Sequence, residues 1–345
     1  MTQPALPDEA AAFLREAVGD HWSVEPLPGD ASVRRYFRIR LPDGSTRMLA
    51  YYPREVRAQL EQFLSAYRAI EPHRCVPEVL RHSEAAVLQV DVGDQTLFDL
   101  LHENRDDGVR LYRKAIEVLI AFQRSAAGAV NPPFSSDFFF HELEMTREFY
   151  VEKIMGAGES ESRRLIPLFR RLTDKLERHP YLLCHRDYHG QNIHILNDDL
   201  FVIDYQDLRM GPDTYDTASL LRDRGVARLL GEQTELELLT YYGDLRGTGF
   251  SPSGRAKARP TLDGALRTRY FETLLQRSIK IIGTFSRQPI DRGRLHYLEF
   301  IPPTIESVER CLRELPEFEE LARVFPLKFD LEEAQQRVKG ILTSS

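Results

Sequence analysis

One stretch of the chain has residue types and spacing that suit a single chemistry. Leu183-Cys184-His185-Arg186-Asp187-Tyr188-His189-Gly190-Gln191-Asn192 is followed by Val202-Ile203-Asp204. An Asp is thus trailed by an Asn five residues on and by a second Asp twelve residues after that. Moving a phosphoryl group onto a hydroxyl takes one carboxylate to orient or deprotonate the attacking oxygen. It also takes two hard oxygen ligands to hold Mg²⁺ against nucleotide phosphates. Asp187 suits the first role, and Asn192 with Asp204 suits the second. A zinc site of His185, His189 and His194 fits less well: they fall in strand and loop rather than on one helix face, with no Cys pair beside them. His185 reads instead as a residue that braces the loop through hydrogen bonds.

The elements that must position these residues can be read from the same region. Asn192 to Leu196 and Leu200 to Ile203 are β-prone runs joined by the turn-prone Asn197-Asp198-Asp199, which predicts a hairpin. Asn192 enters it and Asp204 leaves it, so both side chains fall at one end. Tyr181 to Cys184 is an apolar strand that delivers His185 and Asp187 to the same edge. Upstream, a helix is expected from Leu6 to Gly19, then a turn-rich loop through Gly29-Asp30-Ala31-Ser32. Strands follow at 35–41 and 46–52 around a Pro42-Asp43-Gly44 turn, then a helix at 54–70 with Val56, Leu60, Phe63, Leu64 and Tyr67 on one face. Further strands are expected at 76–80 and 86–90. From Asp94 on, apart from the strands around Asp187, the pattern is helical, near 95–103, 109–127, 137–156, 159–179, 214–224, 232–243, 262–285, 292–314 and 330–341. The expected class is α+β, with a small β-rich lobe and hinge over residues 1–93 and a larger, mainly helical lobe over 94–345.

Composition narrows the function classes. A net charge of −7 and a pI near 5.9 give no bulk attraction to nucleic acid or anionic membranes. Three cysteines, Cys75, Cys184 and Cys311, without Cys-x-x-Cys spacing, make no disulfide framework and suit a reducing cytosol. No apolar run approaches a membrane span and the N-terminus has no export signal, so a soluble cytoplasmic protein is expected. Without a heptad or a long exposed apolar stripe, a monomer is the default.

The β-rich lobe, the helical lobe and the Asp187 run together resemble the bilobal protein-kinase-like fold, and within it the aminoglycoside/choline phosphotransferase superfamily. Gly29–Arg38, Asp91-Val92-Gly93-Asp94, Ile203–Asp207, Gly211–Asp223 and Gln276–Phe285 are similar to the bacterial anomeric kinases of N-acetylmuramate and N-acetylglucosamine. That resemblance implies an ATP- and Mg²⁺-dependent transfer to the C1 hydroxyl of an amino sugar in cell-wall recycling. It makes Asp187 the catalytic base and Asn192 and Asp204 the magnesium ligands. It makes the Gly29–Arg35 turn (Gly29, Asp30, Ser32, Arg34, Arg35) the phosphate loop, Gln89 and Val90 the adenine hinge, and Asp216 a brace for the catalytic loop. Asp216 also reads as a charge favoured at a helix N-terminus.

The chain departs from the wider fold in one respect. Residues 1–113 contain no lysine. Matching Ala50 to the Ala of the kinase Val-Ala-Ile-Lys pattern puts Tyr52 where the phosphate-binding lysine belongs. Arg34 and Arg35 are the available substitutes, and because strand neighbours face opposite ways, one of them should serve. Acceptor contacts are expected from Gln206, Asp207, Arg222, Arg277 and Lys280. The alternative for Arg222 is an ordinary salt bridge, and for Arg277 and Lys280 it is pairing with acidic residues of the catalytic segment. Phe134 and Phe138-Phe139-Phe140 suit either core packing or a sugar-stacking wall. Other functions compatible with the sequence are a kinase of choline, an amino alcohol or an aminoglycoside, and a nucleotide-binding regulator without turnover.

Overall fold

The computed structural model describes residues 6–27, 33–124, 131–223, 225–247 and 262–344. The chain starts with helix α1 (Asp8–Val18), strands β1 (Ser23–Pro26), β2 (Arg35–Arg40) and β3 (Thr46–Tyr51), helix α2 (Ala58–Ile70), and strands β4 (Val79–His82) and β5 (Ala86–Val90). Helices α3 (Leu97–Glu103), α4 (Arg105–Gln123) and α5 (Ser136–Thr146) follow, and α5 runs on as a π-helix over Arg147–Ile154. Next come α6 (Glu159–Arg163), α7 (Leu165–Glu177) and four strands: β6 (Tyr181–Cys184), β7 (Ile193–Leu196), β8 (Asp199–Val202) and β9 (Arg209–Pro212). The helices after them are α8 (Tyr215–Arg222), α9 (Val226–Gly247), α10 (Gly264–Arg292), α11 (Ile301–Glu314), α12 (Glu319–Val324) and α13 (Leu331–Ser344).

These elements form two compact units, residues 1–131 with 190–208 and residues 132–189 with 209–345. In the first, β1 to β5 make an antiparallel sheet of order β1-β2-β3-β5-β4. The amphipathic α1 buries Ala10, Phe13 and Leu14 against Phe37, Ile39, Leu49, Ala86 and Leu88 of the sheet. The composition shift at residue 93 lies inside this unit, because α3, α4 and the β7–β8 hairpin belong to it as well. Ile195 donates its N–H to the Gln95 carbonyl at 2.9 Å, and Val202 donates to Cys75 at 2.7 Å. Lys114 on α4 bonds the Asp198 carbonyl and Asp199 in the hairpin turn. Asn197 and Asp198 both have positive φ (51° and 65°), the backbone of a two-residue hairpin turn. Gly190 is needed where the chain enters this unit: a Cβ there would stand 2.9 Å from the Tyr112 hydroxyl and 3.0 Å from the Phe98 nitrogen.

The second unit is built on α10, a 29-residue helix that runs through Pro289 and so past the helix break expected near 285. It packs against α5, α7, α8 and α11. The β6–β9 ribbon is antiparallel, with Cys184 opposite Arg209. β9 has no periodic signal of its own and becomes a strand by pairing with β6. No helix among the described residues is long and apolar enough to cross a membrane.

Candidate active site

The Asp187 loop leaves β6 under tight restraint. Arg186 takes a φ of 81°, a region that long side chains seldom adopt, and it needs support from its surroundings. Asp216, in the first turn of α8, accepts the His185 N–H at 2.7 Å and the Arg186 N–H at 3.0 Å. Arg277 of α10 donates to the Arg186 carbonyl at 3.1 Å and to the Ser219 hydroxyl at 2.7 Å, with its guanidinium 4.5 Å from the Tyr215 ring centroid. The peptide units before Asp187 are therefore held from two helices. Complete burial raises the Asp216 carboxyl above its ordinary value, opposed by His185 and the two amide donors. His185 is also fully buried, its ring packed edge-on to Tyr188.

Two effects compete at Asp187. Burial pushes its carboxyl up, but the charges of Lys280, Arg277, His185 and Arg186 outweigh this and hold it below the usual aspartate value. It is ionised at neutral pH and can only accept hydrogen bonds. Burial lowers the nearby His189 imidazole despite Asp223, whose carboxylate lies 3.7 Å away.

In the first unit, Asn192 and Asp204 stand together at the open end of the β7–β8 hairpin. Ile193 pairs with Val202, and the Ile203 N–H donates to the Asn192 carbonyl at 2.9 Å. Asp204 has a φ of 62°, which an aspartate tolerates, and its side chain is 42% exposed. Gln206 donates to Asp204 Oδ1 at 2.8 Å, and Arg34 reaches the same oxygen at 3.5 Å. An amide oxygen and a carboxylate at one ribbon end fit Mg²⁺, which takes one or two protein ligands and leaves the rest to phosphate and water. Among the described residues no three His, Cys, Asp or Glu side chains cluster to hold a metal.

Of the two arginines, Arg34 is the one beside Asp204. In the β2–β3 ladder Arg35 faces Tyr51 and Tyr36 faces Ala50, and continuing that register by one residue sets Arg34 opposite Tyr52. Tyr52 is the position at which the lysine was expected. Burial pushes the Tyr52 phenol up to about 12, so it stays neutral and bonds the Arg34 guanidinium. That guanidinium lies 5.9 Å from the Tyr36 ring and 6.0 Å from the Tyr52 ring. Arg35 points the other way and is exposed. Gly29, Asp30 and Ser32 lie outside the described residues.

The remaining predicted residues divide. Gln89 and Val90 lie within β5, paired with Met48 and Arg47, and the Val90 N–H is already spent on the Glu78 carbonyl at 3.0 Å. A backbone contact to adenine from that amide is therefore corrected, since a central strand uses its own donors. Gln206 is engaged with Asp204, and the half-buried Asp207 follows it in the same loop. Arg222 is corrected as an acceptor ligand. Its side chain is 9% exposed and bonds Glu235 at 3.0 Å, in a buried group that includes Arg310 and Tyr270. Arg277 is committed to the loop. Lys280 lies near Asp187 and stands 3.7 Å from Glu142. Phe134 and Phe139 are buried core residues stacked at 4.7 Å, with the Arg209 guanidinium 4.7 Å from the Phe138 ring centroid.

Sequence reasoning missed Arg38. It bonds Asp91 at 2.6 Å and Asp94 at 2.7 Å, tying β2 to the segment after β5. The signal was present: Arg38 shares the strand face of Arg34 and Tyr36, and two acids flank Val92-Gly93.

The profile of the phosphotransferase enzyme family matches residues 23–259, and the chain belongs to that family. Among curated relatives it is 28% identical over 324 residues to the N-acetylmuramate/N-acetylglucosamine kinase of Pseudomonas aeruginosa, covering 90% of this chain and 91% of that protein. It is 26% identical to the enzyme of the same name from Pseudomonas putida, over 88% of this chain and 87% of the relative. Solved structures with the same fold include a choline/ethanolamine kinase family protein from Mesorhizobium loti (TM-score 0.59, 16% identity, covering 96% of this chain and 98% of that one). Choline kinase LicA from Streptococcus pneumoniae aligns with TM-score 0.55 at 14% identity, over 89% and 98% of the two chains. The expected kinase-like α+β fold is thereby borne out.

Proposed function

We propose that the chain transfers the γ-phosphoryl group of ATP to the anomeric C1 hydroxyl of an N-acetylated amino sugar, N-acetylmuramate or N-acetylglucosamine. The observation that carries this is Asp187, kept ionised by Lys280 and Arg277 on a restrained loop, five residues before the Asn192–Asp204 pair. The curated relatives supply the acceptor class. Asp187 would accept the hydroxyl proton as the oxygen attacks phosphorus and the bond to ADP breaks. An anomeric hydroxyl is more acidic than an ordinary alcohol, so orientation is much of this task. Asn192 and Asp204 would hold Mg²⁺, which when bound draws charge from the phosphate oxygens. Arg34 would bind a β- or γ-phosphate oxygen in place of the absent lysine, with residues 1–93 as the nucleotide-binding part. We place the enzyme in the cytoplasm as a monomer.

Incubation with ATP and Mg²⁺ and a panel of amino sugars, choline and aminoglycosides, followed by ADP release, tests the reading. A C1-phosphate seen by NMR is the expected product. Turnover with choline alone would overturn it, and the Lys280, Arg277 and Arg186 side chains around Asp187 argue against a cationic acceptor. ATP binding with no turnover on any acceptor would indicate a regulator.

A further inference from the structure

Helices α5 and α10 cross at very short range. A Cβ on Gly283 would stand 2.3 Å from the Thr146 hydroxyl and 2.8 Å from its Cα, and that hydroxyl donates to the Ile279 carbonyl at 2.8 Å. One helical turn from this crossing, Glu142 of α5 meets Gln276 and Lys280 of α10, which share a face at i and i+4. Gln276 donates to Glu142 Oε2 at 2.9 Å, and Lys280 Nζ lies 3.7 Å from Oε1. The Glu142 side chain is 11% exposed and the Lys280 side chain 20% exposed. Gln276 is fully buried, and its carbonyl oxygen has no hydrogen-bond partner among the described residues. Lys280 also lies within electrostatic range of Asp187.

Glu142 and Lys280 thus form a charge-balanced pair within electrostatic range of the proposed base. Lys280 can meet a carboxylate, but Glu142 neutralises it when none is present. Arg277 offers no such choice, because its guanidinium is spent on Arg186 and Ser219. We propose that Glu142 and Lys280 set the charge selectivity for the sugar: Lys280 engages the lactyl carboxylate of N-acetylmuramate, and Glu142 keeps the site open to the neutral N-acetylglucosamine. The inference rests on the amino-sugar reading above, which names both acceptors without saying how one site would take both.

The test is the ratio of kcat/KM for N-acetylmuramate to that for N-acetylglucosamine, measured in the wild type, Glu142→Gln, Lys280→Met and Lys280→Arg, with melting curves to establish folding. Glu142→Gln, by freeing the ammonium, should raise the ratio about tenfold, the size of one modest charge contact. Lys280→Met should lower it by a similar factor, and Lys280→Arg should restore it. Added salt should narrow these differences. Ratios within twofold of wild type in folded Glu142→Gln and Lys280→Met would overturn the assignment, even if both lost activity. If Glu142→Gln did not fold, the lysine pair alone would decide. Wild-type protein that phosphorylated neither sugar would overturn the amino-sugar reading, and this inference with it.

Discussion

Replacing Arg34 by alanine tests how the chain holds nucleotide phosphates without a lysine. The guanidinium is 12% exposed and fixed by the Tyr52 hydroxyl and two ring faces, so little freedom is lost when it binds a phosphate. Its pairing with Asp204 at 3.5 Å would be worth roughly 5 kcal/mol at an effective dielectric of about 20. The 42% exposure of Asp204 reduces that to about 1 kcal/mol, as for exposed pairs. A hydrogen bond to a charged phosphate is worth about 1.5–3 kcal/mol, which exceeds this loss in the free protein. The net of about 0.5–2 kcal/mol predicts that Arg34→Ala lowers kcat/KM for ATP about 2- to 30-fold, at 1.4 kcal/mol per decade. Arg35→Ala, an exposed control, should stay within about twofold, as surface changes usually do. Kinetics with ATP varied at saturating sugar, followed by ADP release, give the comparison. Binding of ATP and ADP should weaken more than binding of adenosine, because the contact is to phosphate. Unchanged KM and kcat in folded Arg34→Ala, or a larger effect at Arg35, would refute the reasoning.

Asp187→Asn should lower kcat by about 10²–10⁴ while leaving nucleotide binding in place, and near-normal turnover would remove its role. Because the Asp187 pKa is depressed, the wild-type pH–rate profile should show no acid limb from it above the ordinary aspartate value; in Lys280→Met that limb should move to higher pH. Arg38→Met strands Asp91, whose side chain is 3% exposed, and should cost about 3–5 kcal/mol of stability at neutral pH. Asp91 and Asp94 both have depressed folded values, so this gap should be fully present above the unfolded aspartate pKa of about 3.9 and close as pH falls through the folded values, as melting curves across pH would show. Gly283→Ala should destabilise by about 1–3 kcal/mol through overpacking on Thr146, and an unchanged melting temperature would show that the crossing has slack.

The sequence by itself determined the part of the site that is local. Asp187, Asn192 and Asp204 sit within one short segment whose strands meet through a two-residue turn, so hydrophobic alternation and turn residues bring Asn192 and Asp204 to one ribbon end. The missing lysine was also legible, because absence of a residue type needs no fold to detect. Choosing Arg34 over Arg35 required the β2–β3 register, which decides the face each side chain takes. The Arg38 clamp and the Glu142–Lys280 pair join residues far apart in the chain, and only packing brings them to bonding distance. The assignments that failed have the same origin. A basic residue after a catalytic motif looks like a ligand until burial shows its partner, as Glu235 does for Arg222. β9 likewise becomes a strand only by pairing with β6. Periodicity and spacing fix what lies within a few residues along the chain, whereas side-chain partners across elements depend on register and helix crossing, which the whole fold decides.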